Sequence, residues 1–158
     1  MSSQIVLTVE AQREGAEVYT GTDLCKKKSI ELLEELHLPR GLLPLENMEE
    51  VGFNRSSGFV WLRQKKKTDH VFKKIGKAVS YAPEVTALVQ DRRMKKMTGV
   101  KTREMLIWLT LTDMCIEDPA SGKITFRTPS GLGRSFPVTA FEEVAGEVEK
   151  KAEAEVEK

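Results

Sequence analysis

The strongest constraint on this fold is a series of short extended runs, separated by turn residues, that fills the chain after residue 48. Short runs bounded by turn residues are typical of strands. The runs are residues 48–54, 58–64, 69–75, 78–81, 84–91, 104–117, 123–128 and 134–141. Their short, regular spacing favours a mainly β domain, an antiparallel sandwich or barrel of ten or fewer strands, over βαβ units.

The longest run, residues 104–117, begins with a near-continuous apolar stretch and then alternates. This pattern predicts a central strand that is buried on both faces at its start and half-solvated at its end. From this strand and the other predicted strands we expect a core that includes Val60, Leu62, Leu88, Leu106, Trp108 and Phe126.

A helix is predicted over residues 22–37, where apolar residues fall near helical spacing. Thr22 can cap its first turn, and Pro39 with Gly41 ends it. We expect the helix to pack through Leu24, Leu32, Leu33 and Leu36. Upstream, residues 10–19 are interpreted as a shorter helix or a mobile lead-in. The chain then divides into a lead-in (1–21), a single domain (22–141) and a charged tail (142–158).

Length and composition suit a globular domain that needs no covalent staples. The chain has 158 residues, of which 40% are hydrophobic and 31% charged, and a domain of this size buries a substantial core. Its two cysteines, Cys25 and Cys115, follow the apolar faces of their segments, which predicts free thiols in the core and a reducing compartment. The apolar stretch 5–9 is too short for a signal peptide, and no segment approaches a membrane span. We therefore expect a soluble, cytoplasmic protein whose membrane contact, if any, is peripheral.

The net charge of +1 conceals a strong asymmetry along the chain. Residues 61–103 carry thirteen Lys and Arg against three acids, whereas the tail 142–158 carries seven Glu against three Lys. Such segregation indicates an anionic partner for the middle of the chain, or a tail that screens it. We expect the tail to be helical or disordered and to weaken anion binding by competition.

The middle of the chain supplies the candidate anion- or lipid-binding residues. If two connections meet at one end of a sandwich, both basic clusters come together there, although a solvated basic face explains the same pattern equally well. Few aromatic residues interleave with these cations, which favours lipid headgroups over nucleic acid. The candidates are Lys65, Lys66, Lys67, Lys73, Lys74 and Lys77 in the first cluster and Arg92, Arg93, Lys95 and Lys96 in the second cluster, which continues with Lys101 and Arg103.

Signals for catalysis are weak. The hydrolase elbow G-x-S-x-G is absent, and His37 and His70 are the only histidines. His37 is placed at a helix C-terminus and His70 on a strand, both readily explained as structural. No pairing of Cys or His residues has zinc-ligand spacing, and the turn 131–134 lacks the third glycine of a phosphate loop, so neither a metal nor a cofactor is predicted. The run 57–62 echoes an RNA-binding strand, but Phe59 and Trp61 are better explained as core residues.

Several ordered motifs resemble a plant family catalogued as domain of unknown function 538 (DUF538). Within it, the chain looks most like the smaller-with-variable-branches proteins, which affect leaf-hair branching and growth. The motifs are GLLPL (41–45), EVGFN (50–54), GFVWL (58–62) with QKKK (64–67), VSY (79–81), EVT (84–86), LIW (106–108), KITF (123–126) and RSFPV (134–138).

The resemblance implies a sandwich-like β domain behind an N-terminal helix. It also implies two functional ideas: lipid binding, by likeness to bactericidal/permeability-increasing proteins, and esterase activity toward chlorophyll or pectin. We expect a binding protein rather than an enzyme, with an anionic lipid, amphiphile or surface as partner, involved in growth, trichome development or stress response. The alternatives are an ester hydrolase that uses His70 with Ser80 or Ser135, and a protein-interaction adaptor. Each remains open at this point.

Overall fold

Antiparallel strands dominate the fold, as predicted. The computed structural model of the protein describes residues 7–144. Within them the helices are α1 (Val9–Gln12) and α2 (Thr22–Glu35), and 3-10 turns lie at Pro119–Ser121 and Val138–Phe141. The strands are β1 (Glu17–Thr20), β2 (Met48–Asn54), β3 (Phe59–Gln64), β4 (Thr68–Phe72), β5 (Lys77–Gln90), β6 (Arg93–Glu104), β7 (Ile107–Thr110), β8 (Asp113–Cys115), β9 (Lys123–Arg127) and β10 (Gly133–Pro137).

All ten described strands belong to one sheet. Its order is β1-β2-β3-β5-β6-β8-β9-β10, with β4 paired to one part of β5 and β7 to one part of β6. Among the described residues β1 pairs only with β2 and β10 only with β9. The sheet is therefore not closed into a barrel.

The sheet is strongly curved, as three aromatic side chains show. The ring of Phe141 lies 4.8 Å from that of Phe72 on β4 and 5.2 Å from that of Phe126 on β9. Four strand steps separate β4 from β9, which in a flat sheet is about 19 Å. The two strands can share one aromatic neighbour only because the sheet curls around the core.

Helix α2 covers the β1–β2 end of this core. Its buried face consists of Cys25, Ser29, Leu32 and Leu33, and Leu36, which follows the last residue of the helix, is also buried. Leu24 was expected to pack inward, but it is 42% exposed because it lies on the opposite side of the helix. The prediction that Thr22 caps the helix was also wrong. Gly21 occupies the N-cap, and the Thr22 hydroxyl donates to the Met48 carbonyl of β2.

The lead-in contributes to the sheet. Residues 17–20, expected as part of a helix or a mobile segment, form strand β1 and pair with β2. The preceding α1 brings Val9 against the buried side chains of Phe59 and Trp61. The two aromatic residues are core residues, as predicted, but they belong to this second, smaller cluster rather than the main one.

Strands β5 and β6 form a long hairpin that the sequence did not reveal. Residues 78–81 and 84–91 were expected as two strands, yet both belong to β5, and β6 was missed. The buried residues of β6 are Met94, Met97 and Val100, three apart rather than two. The spacing arises because the pairing register shifts and the backbone has positive φ at Lys96 (50°) and Gly99 (80°). At Lys96 the extra residue lies on β6, whereas next to Gly99 the extra residues lie on β5, and both irregularities interrupt the alternation that identifies a strand.

The predicted central strand 104–117 is wrong. The chain turns at Met105–Leu106, so that β6 pairs with β7, and residues 113–115 form the separate strand β8. Leu106 is 84% and Trp108 41% exposed, in contrast to their expected burial. Of the other expected core residues, Val60 and Leu62 are buried, whereas Leu88 and Phe126 are partly buried.

The beginning of the predicted tail packs on the domain. Val144 is buried, Gly41 donates its backbone N–H to the Phe141 carbonyl, and Lys74 pairs with Glu143 at 3.5 Å. A side chain at Gly41 would overlap the Phe141 and Glu143 carbonyls. The domain thus extends to residue 144. The helical or disordered tail that we expect over 142–158 otherwise falls on residues 145–158, which lie outside the described part of the chain.

Candidate functional site

The concave side of the curved sheet encloses a cavity of about 290 Å³. This volume is at the lower end of the range of ligand pockets, about 300–1,000 Å³. Most of its lining is apolar. The lining residues are Leu42, Phe72, Ile75, Lys77, Val79, Tyr81, Val100, Thr102, Glu104, Leu109, Leu111, Met114, Phe126, Thr128, Leu132, Arg134, Phe136 and Phe141.

Strand alternation positions this lining. Every second residue of a strand faces the same side, and the cavity accordingly receives Lys77, Val79 and Tyr81 from β5. The C-terminal half of β6 contributes Val100, Thr102 and Glu104 by the same rule. In both strands the apolar residues lie deeper and the charged residue lies at the end next to a turn. The cavity is therefore apolar inside and charged at one end.

Aromatic rings form one wall. Phe136 lies 6.0 Å from Phe126 and 6.5 Å from Phe141 between ring centroids, and Phe141 in turn contacts Phe72. Tilted and edge-on contacts of this kind stabilise aromatic clusters. The residues come from β4, β9, β10 and the last 3-10 turn, so the wall exists only once the sheet has curled.

Tyr81 contributes a polar atom that is already satisfied. Its hydroxyl donates to the Leu42 carbonyl at 2.9 Å, and its burial raises the pKa of the phenol far above the ordinary value. The phenol is therefore neutral and its proton is held by the backbone. The bond also fixes the loop before β2 against β5.

A charged cluster lies at the opening of the cavity, where the lining residues Leu132 and Arg134 are exposed. Glu104 accepts hydrogen bonds from Lys77 at 2.9 Å and from Arg134 at 2.7 Å. Burial opposes ionisation of Glu104, but the bonds and charges of its two partners outweigh burial and lower its pKa. The carboxylate is ionised at neutral pH, and the three groups together carry a charge of +1.

The structure brings only part of the two predicted basic clusters together: Lys101 of the second lies beside Lys67 of the first, whereas Arg92 lies far from Lys73 and Lys74. Lys73 and Lys74 lie in the turn before β5, and Arg92 lies in the turn after it. A 14-residue strand separates these turns by on the order of 40 Å. Of the ten predicted binding residues, only Lys77 lines the cavity. That the ten bind anions stays a prediction.

The remaining basic candidates are dispersed. Lys67 shares a surface pocket with Lys101 and Trp108 on the convex face. Arg93 is bonded to Asp113 at 2.8 Å. The other candidates lie in the β3–β4 connection or near the start of β6, namely Lys65, Lys66, Lys95 and Lys96.

The residues of the hydrolase alternative do not meet. His70 pairs in register with Val79, whose side chain faces the cavity, whereas Ser80 is the next residue and faces the other side. Ser135 also faces away from the cavity and shares a 2.7 Å hydrogen bond with Thr125. Burial lowers the pKa of His70, and its ring packs edge-on against Phe72. His70 is therefore a neutral residue that packs against Phe72.

The other reactive groups are also buried or paired. Cys25 and Cys115 are free and buried, as predicted, and burial together with nearby carboxylates raises the pKa of both thiols. His37 follows α2 and contacts the Asp91 carboxylate at 2.6 Å. Across residues 7–144 no group of three or more His, Cys, Asp or Glu side chains could hold a metal ion.

The sequence profile of a family described as a protein of unknown function, DUF538, matches residues 29–142. The chain belongs to the DUF538 family. Neither a curated protein nor a solved structure matches it. The DUF538 match contains every residue that lines the cavity. The profile describes the family as a whole, so the likeness to the trichome-branching proteins stays a prediction.

Sequence reasoning missed most of the site in this DUF538 protein. Glu104 was placed at the start of a buried strand, and Arg134 was noted only as part of a turn and a family motif. The one available signal was the alternation of Arg134 and Phe136 on β10, which places both on one face.

Among residues 7–144, neither helix has the length and apolar character that a membrane-spanning helix needs.

Proposed function

We propose that this DUF538 protein binds an amphiphile with an apolar chain or ring system and an anionic headgroup. The observation that carries the proposal is the apolar cavity of about 290 Å³ with Lys77, Glu104 and Arg134 at its opening. Apolar burial favours the hydrocarbon part, and polar groups at one end select and orient the head.

The charge of the opening supports an anionic headgroup. Glu104 already occupies one acceptor position between Lys77 and Arg134, and the cluster retains a net positive charge. Each cation has N–H groups beyond the one that it donates to Glu104. A second carboxylate or a phosphate can accept hydrogen bonds from these N–H groups. A cationic head meets net repulsion there. The roles in plant growth, trichome development or stress response rest on the resemblance alone and stay predictions.

The test is a fluorescence titration with a dansyl-labelled fatty acid, followed by displacement with an unlabelled fatty acid. Leu109→Trp fills the cavity from β7, while Thr110→Trp places the same ring on the other face of the same strand. We expect Leu109→Trp to weaken binding at least about tenfold and Thr110→Trp to bind as the wild type does. Both variants are checked by thermal unfolding. Equal affinity in two folded variants contradicts the proposal.

A further inference from the structure

Four apolar side chains protrude from one end of the sheet. They are the most exposed large hydrophobic residues in the described part of the chain: Met105 at 92%, Leu106 at 84%, Leu132 at 64% and Ile107 at 63% exposure. Three belong to the β6–β7 turn and its first pair, and Leu132 belongs to the β9–β10 loop. Single exposed apolar residues are ordinary, but a cluster at one point marks a contact surface.

The β6–β7 turn is poorly suited to folding alone. A two-residue hairpin turn favours Gly, Asn or Asp, because at least one position has positive φ. Here the turn is Met105–Leu106, and Met105 has φ of 57°. A bulky residue in this region is strained. The apolar tip therefore has a cost in stability that its own packing does not offset.

The tip lies beside the opening of the cavity. Glu104, paired in register with Ile107, bonds to Arg134 at the opening. Leu132 and Leu109 both line the cavity. The β4–β5 turn is at the same end of the sheet. It directly precedes Lys77, which bonds to Glu104 at the opening, and Ile75 of this turn also lines the cavity. Three connections thus surround one opening.

Basic residues surround these apolar side chains. Apart from Arg127, which pairs with Glu117, the three connections and their adjoining pairs carry five cations and one carboxylate among the described residues, and a second carboxylate, Glu143, pairs with Lys74. Immediately behind the tip, Arg103 pairs in register with Trp108. One residue on each strand separates this pair from the turn, so the turn lies two residue steps, about 7 Å, beyond the pair. The charged groups are Lys73, Lys74, Lys77, Arg103 and Arg134, with Glu104 and Glu143.

We infer that this end of the sheet docks on a bilayer containing anionic lipid, with the β6–β7 tip and Leu132 inserted and the cavity opening facing the lipid. Interfacial segments enter the bilayer by about 5–10 Å, which matches the depth between the tip and the Arg103–Trp108 pair. Trp and Arg are favoured at the level of the headgroups. The inference rests on the proposed function, since it names a lipid surface as the source of the cavity ligand.

The shape of the surface favours a bilayer over a protein partner. Four side chains on two protruding connections offer little area, whereas a stable protein interface buries about 800 Å² on each side. Insertion into lipid needs only a protruding apolar tip with cations behind it. The charge of this end is also complementary to an anionic leaflet.

The experiment measures vesicle flotation of the full chain with phosphatidylcholine alone and with phosphatidylcholine mixed with phosphatidylserine. We expect binding to the mixed vesicles that declines as salt shortens the Debye length. Leu106→Asn should weaken it at least about tenfold. Leu24→Asn is the matched control, because Leu24 is exposed on α2, at the other end of the core. Equal binding by Leu106→Asn and the wild type overturns the inference.

Met105→Gly separates docking from folding. Glycine suits the positive φ at this position, so this variant should melt at a higher temperature than the wild type and still bind vesicles less well. A tip that served only to stabilise the hairpin would not show this opposite change. A loss of both stability and vesicle binding overturns the inference.

Tryptophan fluorescence gives an independent measure of depth. Trp61 is fully buried and Trp108 is 41% exposed, so a vesicle-induced blue shift and quenching by brominated lipid should disappear in Trp108→Phe. Quenching that persists in Trp108→Phe contradicts the inference. So does a wild-type dimer in solution that Leu106→Asn abolishes, since the tip would then contact a second copy.

Failure of docking and failure of the proposed function give different results. If the dansyl-labelled fatty acid binds while vesicles do not, docking is wrong and ligand binding stands. If vesicles bind through the tip while the cavity-filling Leu109→Trp leaves fatty-acid affinity unchanged, the proposed function is wrong.

Discussion

Arg134 donates a 2.7 Å hydrogen bond to Glu104, and this contact joins β10 to β6, two strands that are not neighbours in the sheet. It spans the opening of the cavity on the concave side. Since Lys77 bonds to the same carboxylate, the contact also holds two cations where a headgroup would lie. Curvature of the sheet and charge at the opening are thus linked through one side chain.

This arrangement predicts charge selectivity. Arg134→Gln should weaken binding of a fatty acid by about tenfold and leave binding of the corresponding fatty alcohol nearly unchanged, because only the carboxylate uses the lost charge. Displacement titrations with both ligands measure the difference. Arg127→Gln is the control: this arginine lies on β9 and pairs with Glu117 away from the cavity lining. Equal losses for acid and alcohol would show that Arg134 acts through packing.

Gly52→Ala should destabilise the protein. Gly52 lies directly opposite Trp61 in the β2–β3 pairing, and a methyl group there would overlap the indole ring. The ring is fully buried and cannot move aside without disturbing its neighbours, so we expect a loss of about 1–3 kcal/mol. Urea unfolding measures it. The exposed neighbour Glu49→Ala should change stability by no more than about 0.5 kcal/mol, and a similar loss in both variants would contradict the steric explanation.

Glu50 should make stability depend on acid pH. Burial opposes its ionisation, but hydrogen bonds from Arg13 and the Trp61 indole, together with the charges of Arg13 and Arg63, outweigh burial and lower its pKa below the ordinary 4.5. The folded state therefore favours the carboxylate. Its stabilisation is complete above the ordinary pKa and is lost as the pH falls through the lowered, folded-state value.

Glu50→Gln tests this linkage. The variant should be less stable by about 1–2 kcal/mol at neutral pH, since a charged acceptor is lost from a partly buried network. The deficit should shrink as the pH is lowered below 4.5, because the wild type loses the same contribution there. Thermal unfolding over this range measures the deficit, and a pH-independent deficit argues against the ionic origin.

Two truncations locate the end of the domain. Ending the chain after Val144 should leave the melting temperature nearly unchanged and strengthen binding to anionic vesicles at low salt, as expected for a competing acidic tail. Ending it after Glu142 removes the buried Val144 and the Lys74–Glu143 pair, which should cost about 2 kcal/mol. Equal melting temperatures for the two truncations would show that residues 143 and 144 contribute nothing to folding.

Local patterns were reliable where the local geometry is regular. Residues 48–54 and 123–128 were predicted within one residue of their strands, because turn residues bound each run. The predicted burial of Cys25 and Cys115 is also confirmed, because each cysteine lies on the apolar face of its own segment. The helix ends two residues earlier than predicted because His37 adopts positive φ, which a helix does not tolerate.

Patterns failed where the backbone is irregular or the residues serve another purpose. In β6 the register shifts near Lys96 and Gly99, where the backbone has positive φ, interrupt the period of two, and the buried residues come three apart. In residues 105–108 an apolar run was interpreted as a core strand, since a run cannot indicate that it is a turn exposed at the end of a sheet. That ambiguity concealed the proposed docking tip.

What the sequence determined by itself is the mainly β class, the α2 helix, the two buried thiols and membership of the DUF538 family, because periodicity and motifs are properties of neighbouring residues. The tertiary structure alone decided that the sheet curls, that Arg92 lies at the opposite end of β5 from Lys73 and Lys74, and that Lys77, Glu104 and Arg134 meet at one opening. Those relationships join residues up to 57 positions apart in the chain. They depend on strand pairing and curvature, which no local pattern records.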